Sequence, residues 1–186
     1  MAMSVRPTRA DKEIARIISR NTTRKAEETA EFLTWGADEH ILCAAAAVRW
    51  LYCRGRPAPQ RKASDHILVT TTAATLLPHL LKHIFTQERP DRVSVEAHLH
   101  GAPLSGSPLQ SFPSGHAIHV GALGSAAADL PPTQRNLVWA AGGGFVLTRV
   151  LLLAHWASDV AAGLVLGVLL ERIIRLFTGY GHAGHA

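Results

Sequence analysis

Three short groups of charged and histidine residues interrupt a chain that is otherwise rich in apolar residues. They are Lys82 with Arg89-Pro90, then Pro113-Ser114-Gly115-His116, then Thr148-Arg149 with His155 and Asp159. Charged groups are costly among apolar helices and are usually kept there because they serve a function. Fixed cations, imidazoles, one carboxylate and a glycine-bearing turn suit the binding and cleavage of a phosphate ester.

The apolar segments between these groups predict helices. Apolar residues make up 47% of the 186 residues, and helices are favoured at about 35–53, 66–86, 116–130, 136–154 and 157–176. No segment is a clean run of about 18 apolar residues, although polar side chains that face a bundle interior are compatible with a membrane location. We therefore predict an all-α fold, a membrane-embedded bundle of about five spanning helices with an N-terminal amphipathic helix.

The chain divides into three parts. Residues 1–33 are polar and carry isoleucines at helical spacing, with Asp11 as a candidate helix cap. They predict an amphipathic segment on a membrane surface or against the bundle, or equally a solvated helical tail. Residues 34–178 form the predicted helical domain, and residues 179–186 form a flexible tail.

The net charge of +5 indicates an acidic partner. No nucleic-acid motif accompanies the basic residues, so we expect membrane lipids and no nucleic acid as partners. The first twelve residues lack the apolar core of a secretory signal, which weighs against a soluble exported enzyme and not against an inner-membrane protein. Cys43 and Cys53 lack metal-ligand spacing and are interpreted as small buried apolar residues.

Helix alternation predicts that the three groups meet. The basic, proline-bearing segment 54–65 is expected to be cytoplasmic. Successive helices then bring Lys82, His116, Arg149 and His155 to the opposite, outer face. One composite site is therefore expected there.

The first two groups have the chemistry of a phosphate site. Lys82 and Arg89 are spaced to share one face of a helix that ends at Pro90 and could grip a dianion, or they could extend to the membrane interface. Ser114 and Gly115 precede a helix, where free N–H groups bind phosphate oxygens and glycine permits close approach. Helix capping is the plainer alternative for this pair.

The third group suggests a nucleophile. His155 and Asp159 have the i, i+4 spacing that would let the carboxylate fix the imidazole tautomer, although a buried ion pair is the alternative. His155 would attack phosphorus, and His116 would protonate the leaving oxygen and then activate water. Lys82, Arg89, Arg149 and the Ser114-Gly115 backbone would neutralise charge. No acidic cluster suits magnesium, so no metal or other cofactor is expected.

The order and spacing of these residues resemble the type 2 phosphatidic acid phosphatase superfamily, which includes the vanadium haloperoxidases. Its signature is Lys-x6-Arg-Pro, Pro-Ser-Gly-His and Ser-Arg-x5-His-x3-Asp, and here Thr148 replaces the serine. The resemblance implies metal-independent phosphoester hydrolysis through a phosphohistidine. It also implies His155, His116 and Asp159 as catalytic residues and Lys82, Arg89, Ser114, Gly115 and Arg149 as phosphate-binding residues.

The predicted function is hydrolysis of a lipid phosphomonoester or pyrophosphate of the phosphatidate, phosphatidylglycerophosphate or polyprenyl class. The resemblance implies a small bacterial inner-membrane protein whose active site faces the periplasm. A vanadate-dependent oxidase is disfavoured by the short chain and apolar helices, and a silent membrane scaffold is disfavoured by the complete motifs. The loop 91–112 is expected to influence headgroup choice.

The remaining histidines suggest lesser roles. His79 and His83 flank Lys82 at a metal-pair spacing and are interpreted as residues that line the cleft. His98 and His100 could bind a metal, but a solvated loop is favoured. His119 is expected to pack in the bundle.

Overall fold

The computed structural model describes residues 3–90 and 107–181, and these residues form a helix bundle. Its main helices are α3 (Glu39–Cys53), α4 (Ala58–Ile84), α5 (Gly115–Ala126), α6 (Pro132–Leu151) and α7 (Ala157–Thr178). They follow α1 (Arg9–Asn21), α2 (Arg24–Thr34) and a short 3-10 turn, Trp35–Ala37. Two short parallel strands, β1 (Met3–Ser4) and β2 (Phe85–Thr86), pair with each other. The prediction of a helical fold is confirmed.

Local sequence signals account for the helix ends. Asp38 caps α3, because its side chain accepts hydrogen bonds from the amides of His40 and Ile41. Both α4 and α6 begin directly after prolines, where the missing N–H is no loss. Helix α7 ends at Gly179, whose φ of 60° is a left-handed conformation that glycine adopts readily.

The core of the bundle is the close contact between α5 and α7. A Cβ atom added at Gly121 would collide with the carbonyl oxygen of Leu164, and one added at Gly167 would collide with that of Ile118. A Cβ atom added at Gly163 would also lie too close, 2.7 Å from the carbonyl oxygen of Ser114. The small-residue spacing of Gly163 and Gly167 predicts this approach, and the structure confirms it.

The N-terminal segment packs against the bundle. Helix α2 contacts α6, and α1 contacts α7. Ala15 of α1 joins an apolar cluster with Leu153 and Trp156. Of the arrangements predicted for residues 1–33, the structure therefore shows the one in which the segment lies against the bundle.

A buried polar cluster ties α4, α5 and α7 together at the end of the bundle opposite the predicted site. The carboxylate of Glu171 accepts hydrogen bonds from Ser125 Oγ (2.5 Å) and Arg175 Nε (2.8 Å), and its Oε1 lies 3.0 Å from His66 Nε2. The ring of Tyr180 stacks on His66. Every member of such a cluster needs a partner, because an unpaired charge would be costly inside the bundle.

The helices that were expected to span a membrane do not meet the usual criteria for doing so. Across residues 3–90 and 107–181, no helix combines enough length with enough apolar character to cross a bilayer.

Replacing Gly167 by alanine should destabilise the protein, because the new methyl group has no space beside the backbone of α5. We expect a loss of about 1–3 kcal/mol in the free energy of unfolding, measured by thermal unfolding in detergent. The matched control is Gly143→Ala in α6, where no atom lies within 4 Å of the added Cβ. That change should stabilise the helix by up to about 1 kcal/mol, and equal effects at both glycines would contradict the packing described.

Candidate active site

A cavity of about 180 Å³ opens at one end of the bundle. Its wall is built from the ends of α4 and α6, the starts of α3 and α5, and the turn before α7. Six of the eight predicted site residues line it: Lys82, Arg89, Gly115, His116, Arg149 and His155. Ser114 and Asp159 lie behind the wall. The structure therefore brings the three sequence groups to one place.

The guanidinium of Arg89 lines the cavity and also holds the neighbouring backbone in place. It is only 3% exposed and donates to the carbonyl oxygens of Ala154 (2.7 Å), Ser107 (3.1 Å) and Gln110 (3.3 Å). These bonds fix the arginine and hold Ala154, the residue before His155, at the cavity.

The prediction that Lys82 and Arg89 share one helical face is wrong. Helix α4 ends at Ile84 because the chain then becomes extended and β2 pairs with β1. Gln87 next bridges to Gln110. Lys82 therefore reaches the cavity from a helix, and Arg89 reaches it from an extended segment.

Arg149 offers the cavity an unused hydrogen-bond donor. Its guanidinium donates to Thr34 Oγ1 at 3.2 Å, while its buried Nε has no partner among residues 3–90 and 107–181. A buried donor without an acceptor is uncommon and points to a group that arrives from outside the chain. The carbonyl oxygen of Arg149 also accepts the amides of Ala154 and His155, which shapes the turn that follows α6.

The imidazole of His155 is fixed by a backbone carbonyl. Its Nδ1 lies 2.7 Å from the oxygen of Ser111. Because a carbonyl oxygen can only accept, Nδ1 must carry the proton. Nε2 then carries the lone pair and is the ring nitrogen left for the cavity.

Burial and nearby cations keep this imidazole neutral. The residue is 3% exposed. Burial, followed by the charges of Arg89, Arg149 and Lys82, lowers the pKa of His155 well below its ordinary value. An imidazole with a lowered pKa is uncharged at neutral pH, so Nε2 keeps its lone pair.

The sequence predicts a direct bond between Asp159 and His155, and the structure does not show this hydrogen bond. Its Oδ2 lies 3.8 Å from Nδ1 and instead accepts the Ser111 hydroxyl (2.5 Å) and the amide of Trp156 (3.0 Å). The i, i+4 geometry fails because α7 begins only at Ala157, so His155 precedes the helix. The hydrogen-bonded connection from Asp159 to the imidazole therefore runs through Ser111.

Sequence reasoning missed Ser111. The residue is fully buried, its carbonyl holds His155, its hydroxyl holds Asp159, and its amide donates to the oxygen of Gln87. It lies in the predicted functional loop 91–112, but no residue type or spacing singled it out. The rest of that loop up to residue 106, with His98 and His100, lies outside the described residues.

The second group forms the start of α5. Ser114 is the N-cap residue, and its amide donates to the carbonyl oxygen of Asp159 at 3.3 Å. Its hydroxyl is buried without a partner among the described residues. His116 lines the cavity, and the backbone of Thr34 lies beside its ring.

One side of the cavity wall is acidic, which the sequence motifs did not indicate. Asp38 and Glu39 line it beside His79, and Glu39 Oε1 lies 3.6 Å from His79 Nε2. His79 thus lines the cleft as predicted, whereas His83 is exposed and is not part of the wall. His119 is buried and hydrogen-bonded at both ring nitrogens, to the Gly115 carbonyl and the Thr75 hydroxyl, as expected of a packed residue.

Comparison with curated proteins finds relatives among lipid phosphatases. A lipid A 1-phosphatase from Rhizobium johnstonii is 40% identical over 103 residues, which are 55% of this chain and 42% of that protein. A lipid A 1-phosphatase from Rhizobium etli is 38% identical over 103 residues, 55% of this chain and 44% of the relative. The chain thus matches less than half the length of these relatives.

Comparison with solved structures finds the same fold. LpxE from Aquifex aeolicus superposes with a TM-score of 0.69 and 16% identity over 92% of this chain and 98% of that chain. A transmembrane PAP2-type phosphatidylglycerolphosphate phosphatase from Bacillus subtilis gives a TM-score of 0.68 and 20% identity over 95% of this chain and 88% of that one. At these identities the likeness concerns the fold alone.

A sequence model of one family matches the part of the chain that carries all three groups. The match covers residues 66–182 and is to the PAP2 superfamily. It runs from α4 to the end of α7 and so includes most of the cavity wall. The chain therefore belongs to the PAP2 superfamily.

Proposed function

We propose that this protein is a phosphatase that cleaves a lipid phosphate monoester or pyrophosphate through a phosphohistidine at His155. The observation that carries this assignment is the neutral imidazole of His155, with Nε2 left for a cavity that Lys82, Arg89 and Arg149 line. A neutral nucleophile surrounded by permanent cations suits attack on an anionic phosphorus centre. The same cations take the charge-neutralising role that a metal ion would otherwise have.

In the first step the phosphate binds among the three cations, and the unpartnered Arg149 Nε donates to one of its oxygens. Nε2 of His155 forms a bond to phosphorus as the bond from phosphorus to the lipid oxygen breaks. His116 gives its cavity-side proton to that leaving oxygen. Burial and the charge of Arg149 disfavour a charged His116, so the step requires the negative charge of the bound phosphate to stabilise the protonated form.

In the second step water releases the phosphate. His116, now neutral, takes a proton from a water molecule whose oxygen attacks phosphorus. The bond between phosphorus and Nε2 breaks, and the electron pair returns to His155. Inorganic phosphate leaves, and His116 is again protonated for the next cycle.

The outer surface of the bundle supports a membrane location. Large apolar side chains recur at helical spacing on the outward faces of the main helices, as with Val165, Leu169 and Ile173 on α7 and Leu76, Leu80 and Ile84 on α4, and each is 48–63% exposed. Apolar surface of this extent is unusual on a soluble monomer. We place these faces against lipid acyl chains in the inner membrane, with the cavity at the periplasmic face.

The cavity and the relatives together support the proposed substrate class. The named activities of the relatives, lipid A 1-phosphatase and phosphatidylglycerolphosphate phosphatase, are both removals of phosphate from a lipid. The cavity of about 180 Å³ is lined by Lys82, Arg89 and Arg149, which suits the phosphate part of such a lipid. We therefore expect the lipid body to remain outside it, with lipid A-type 1-phosphates as the first substrates to test.

His155→Ala should abolish turnover, with a loss of at least about 1,000-fold in kcat, because the nucleophile is gone. The assay is phosphate release in detergent with a chelator present, from a lipid A-type 1-phosphate, phosphatidylglycerophosphate, phosphatidate and a polyprenyl pyrophosphate. His83→Ala is the matched control, since that histidine is exposed and outside the cavity. Vanadate should inhibit the wild type because it mimics five-coordinate phosphorus.

Two results would contradict the assignment of His155 as the nucleophile of a metal-independent phosphatase. One is phosphate release that survives the loss of His155, and the other is wild-type activity that appears only when a divalent metal is added.

Ser111→Ala and Asp159→Asn should have similar and non-additive effects, because the hydrogen-bonded connection from Asp159 to His155 runs through Ser111, whose hydroxyl bonds Asp159 and whose carbonyl bonds the imidazole. Each should lower kcat by about tenfold. The kcat of the double variant should be no lower than that of the less active single variant. The measurement is kcat and KM for all three variants on one lipid phosphate. Additive losses in kcat would show that the carboxylate acts on the imidazole directly. So would a normal kcat for Ser111→Ala together with a strongly lowered kcat for Asp159→Asn.

A further inference from the structure

The turn that carries His155 has some local hydrogen bonds, from the amides of Ala154 and His155 to the Arg149 carbonyl and from the Trp156 amide to Asp159, but it contains two unfavourable features. Leu153 has a φ of 51°, a left-handed conformation that is unfavourable for a side chain branched beyond Cβ. Trp156 occupies the N-cap position of α7 and has no side-chain acceptor for the free amides of the first turn. A turn of this kind persists only where the surroundings hold it.

Asp11 of α1 provides the missing acceptor from a distant part of the sequence. Its Oδ1 accepts the amide of Ser158 at 2.9 Å, and its Oδ2 accepts the hydroxyl of Ser158 at 2.8 Å. The same carboxylate accepts the amide and hydroxyl of Thr8, both at 2.8 Å, which closes the capping box of its own helix. One carboxylate therefore caps the N-termini of two helices, where negative charge is favoured.

The environment of Asp11 indicates that these bonds are strong. The residue is 3% exposed. Burial acts to raise the pKa of Asp11, but the hydrogen bonds from Ser158 and Thr8 outweigh it and hold the pKa below its ordinary value. The carboxylate is thus ionised at neutral pH and accepts as a charged group.

Apolar packing adds a second link between α1 and the same turn. Ala15, one helical turn beyond Asp11, packs with Leu153 and Trp156, and Ile18 covers this cluster. The Trp156 indole donates to the carbonyl oxygen of Glu88 at 2.7 Å. Beside the bond from the Trp156 amide to Asp159 of α7, the strained residue and the N-cap residue are thus also held by contacts from outside α7.

We propose that Asp11 is a positioning residue for catalysis: it fixes the first turn of α7 and, through that turn, the placement of His155. Ser158 is followed by Asp159, which holds Ser111, whose carbonyl holds the imidazole. Asp11 lies outside residues 66–182, the part of the chain that matches the family. This role rests on the proposed function of His155, because positioning matters only if that imidazole reacts.

The experiment compares Asp11→Ala and Asp11→Asn with Glu13→Ala, a matched control on the exposed face of the same helix. Asp11→Ala should lower kcat by about 10- to 100-fold per folded molecule, because a small misplacement of a nucleophile is costly. KM should change by less than about twofold, since Lys82, Arg89 and Arg149 lie on other elements. Asp11→Asn should retain more activity, because its amide oxygen can still accept the Ser158 amide.

Hydrogen exchange at the start of α7 gives a readout that needs no activity. The amides of residues 157–160 should exchange faster in Asp11→Ala than in the wild type, while those in the middle of α7 should not. If Asp11→Ala does not fold, Asp11→Asn supplies both measurements.

Different results would contradict the positioning role of Asp11 and the nucleophile role of His155. A lower melting temperature with unchanged kcat per folded molecule, a change in KM alone, or unchanged exchange at 157–160 would overturn the positioning role. Activity that survives His155→Ala in the same assay would overturn the proposed function and, with it, the catalytic meaning of Asp11. Faster exchange together with a kcat loss that Asp11→Asn partly rescues would support the positioning role.

Discussion

The hydrogen bond from His155 Nδ1 to the Ser111 carbonyl determines what this cavity can do. A carboxylate at the same place would favour the imidazolium, whereas a carbonyl fixes the tautomer and carries no full charge. The cations around the ring favour the neutral form further. The protein thereby places a lone pair among permanent positive charges. A phosphate can neutralise that charge, and the imidazole can then attack it.

The two arginines that contribute positive charge around the imidazole are held differently. Arg89 is held by the carbonyl oxygens of Ala154, Ser107 and Gln110, which fix its position but supply no full negative charge. Arg149 instead keeps its buried Nε free of any partner within the described parts of the chain. In the proposed mechanism one guanidinium therefore fixes the turn that carries His155, and the other would donate to the phosphate. Asp38 and Glu39 lie along another part of the wall.

The helical fold and the meeting of the three groups could be predicted because both follow from local patterns. Apolar helices joined by short breaks bring alternate ends together, and each group lies at such an end. The predicted direct hydrogen bond between His155 and Asp159 does not form, because α7 begins two residues after His155, and the two groups approach only to 3.8 Å. Ser111 and the docking of α1 on the reactive turn depend on contacts between residues far apart in sequence, for which one sequence offers no spacing to read. The predicted division at residue 33 stays a prediction, although α1 and α2 pack on the bundle.

The central claim is that the phosphoryl group passes through Nε2 of His155. The most direct measurement is to mix the enzyme with a lipid substrate labelled in its phosphate, quench within one turnover, and map the label by mass spectrometry. The account predicts a phosphate on His155 that is lost in acid and retained in alkali. A label that survives acid, resides on Ser114, or is absent at every quench time while phosphate is released would contradict it.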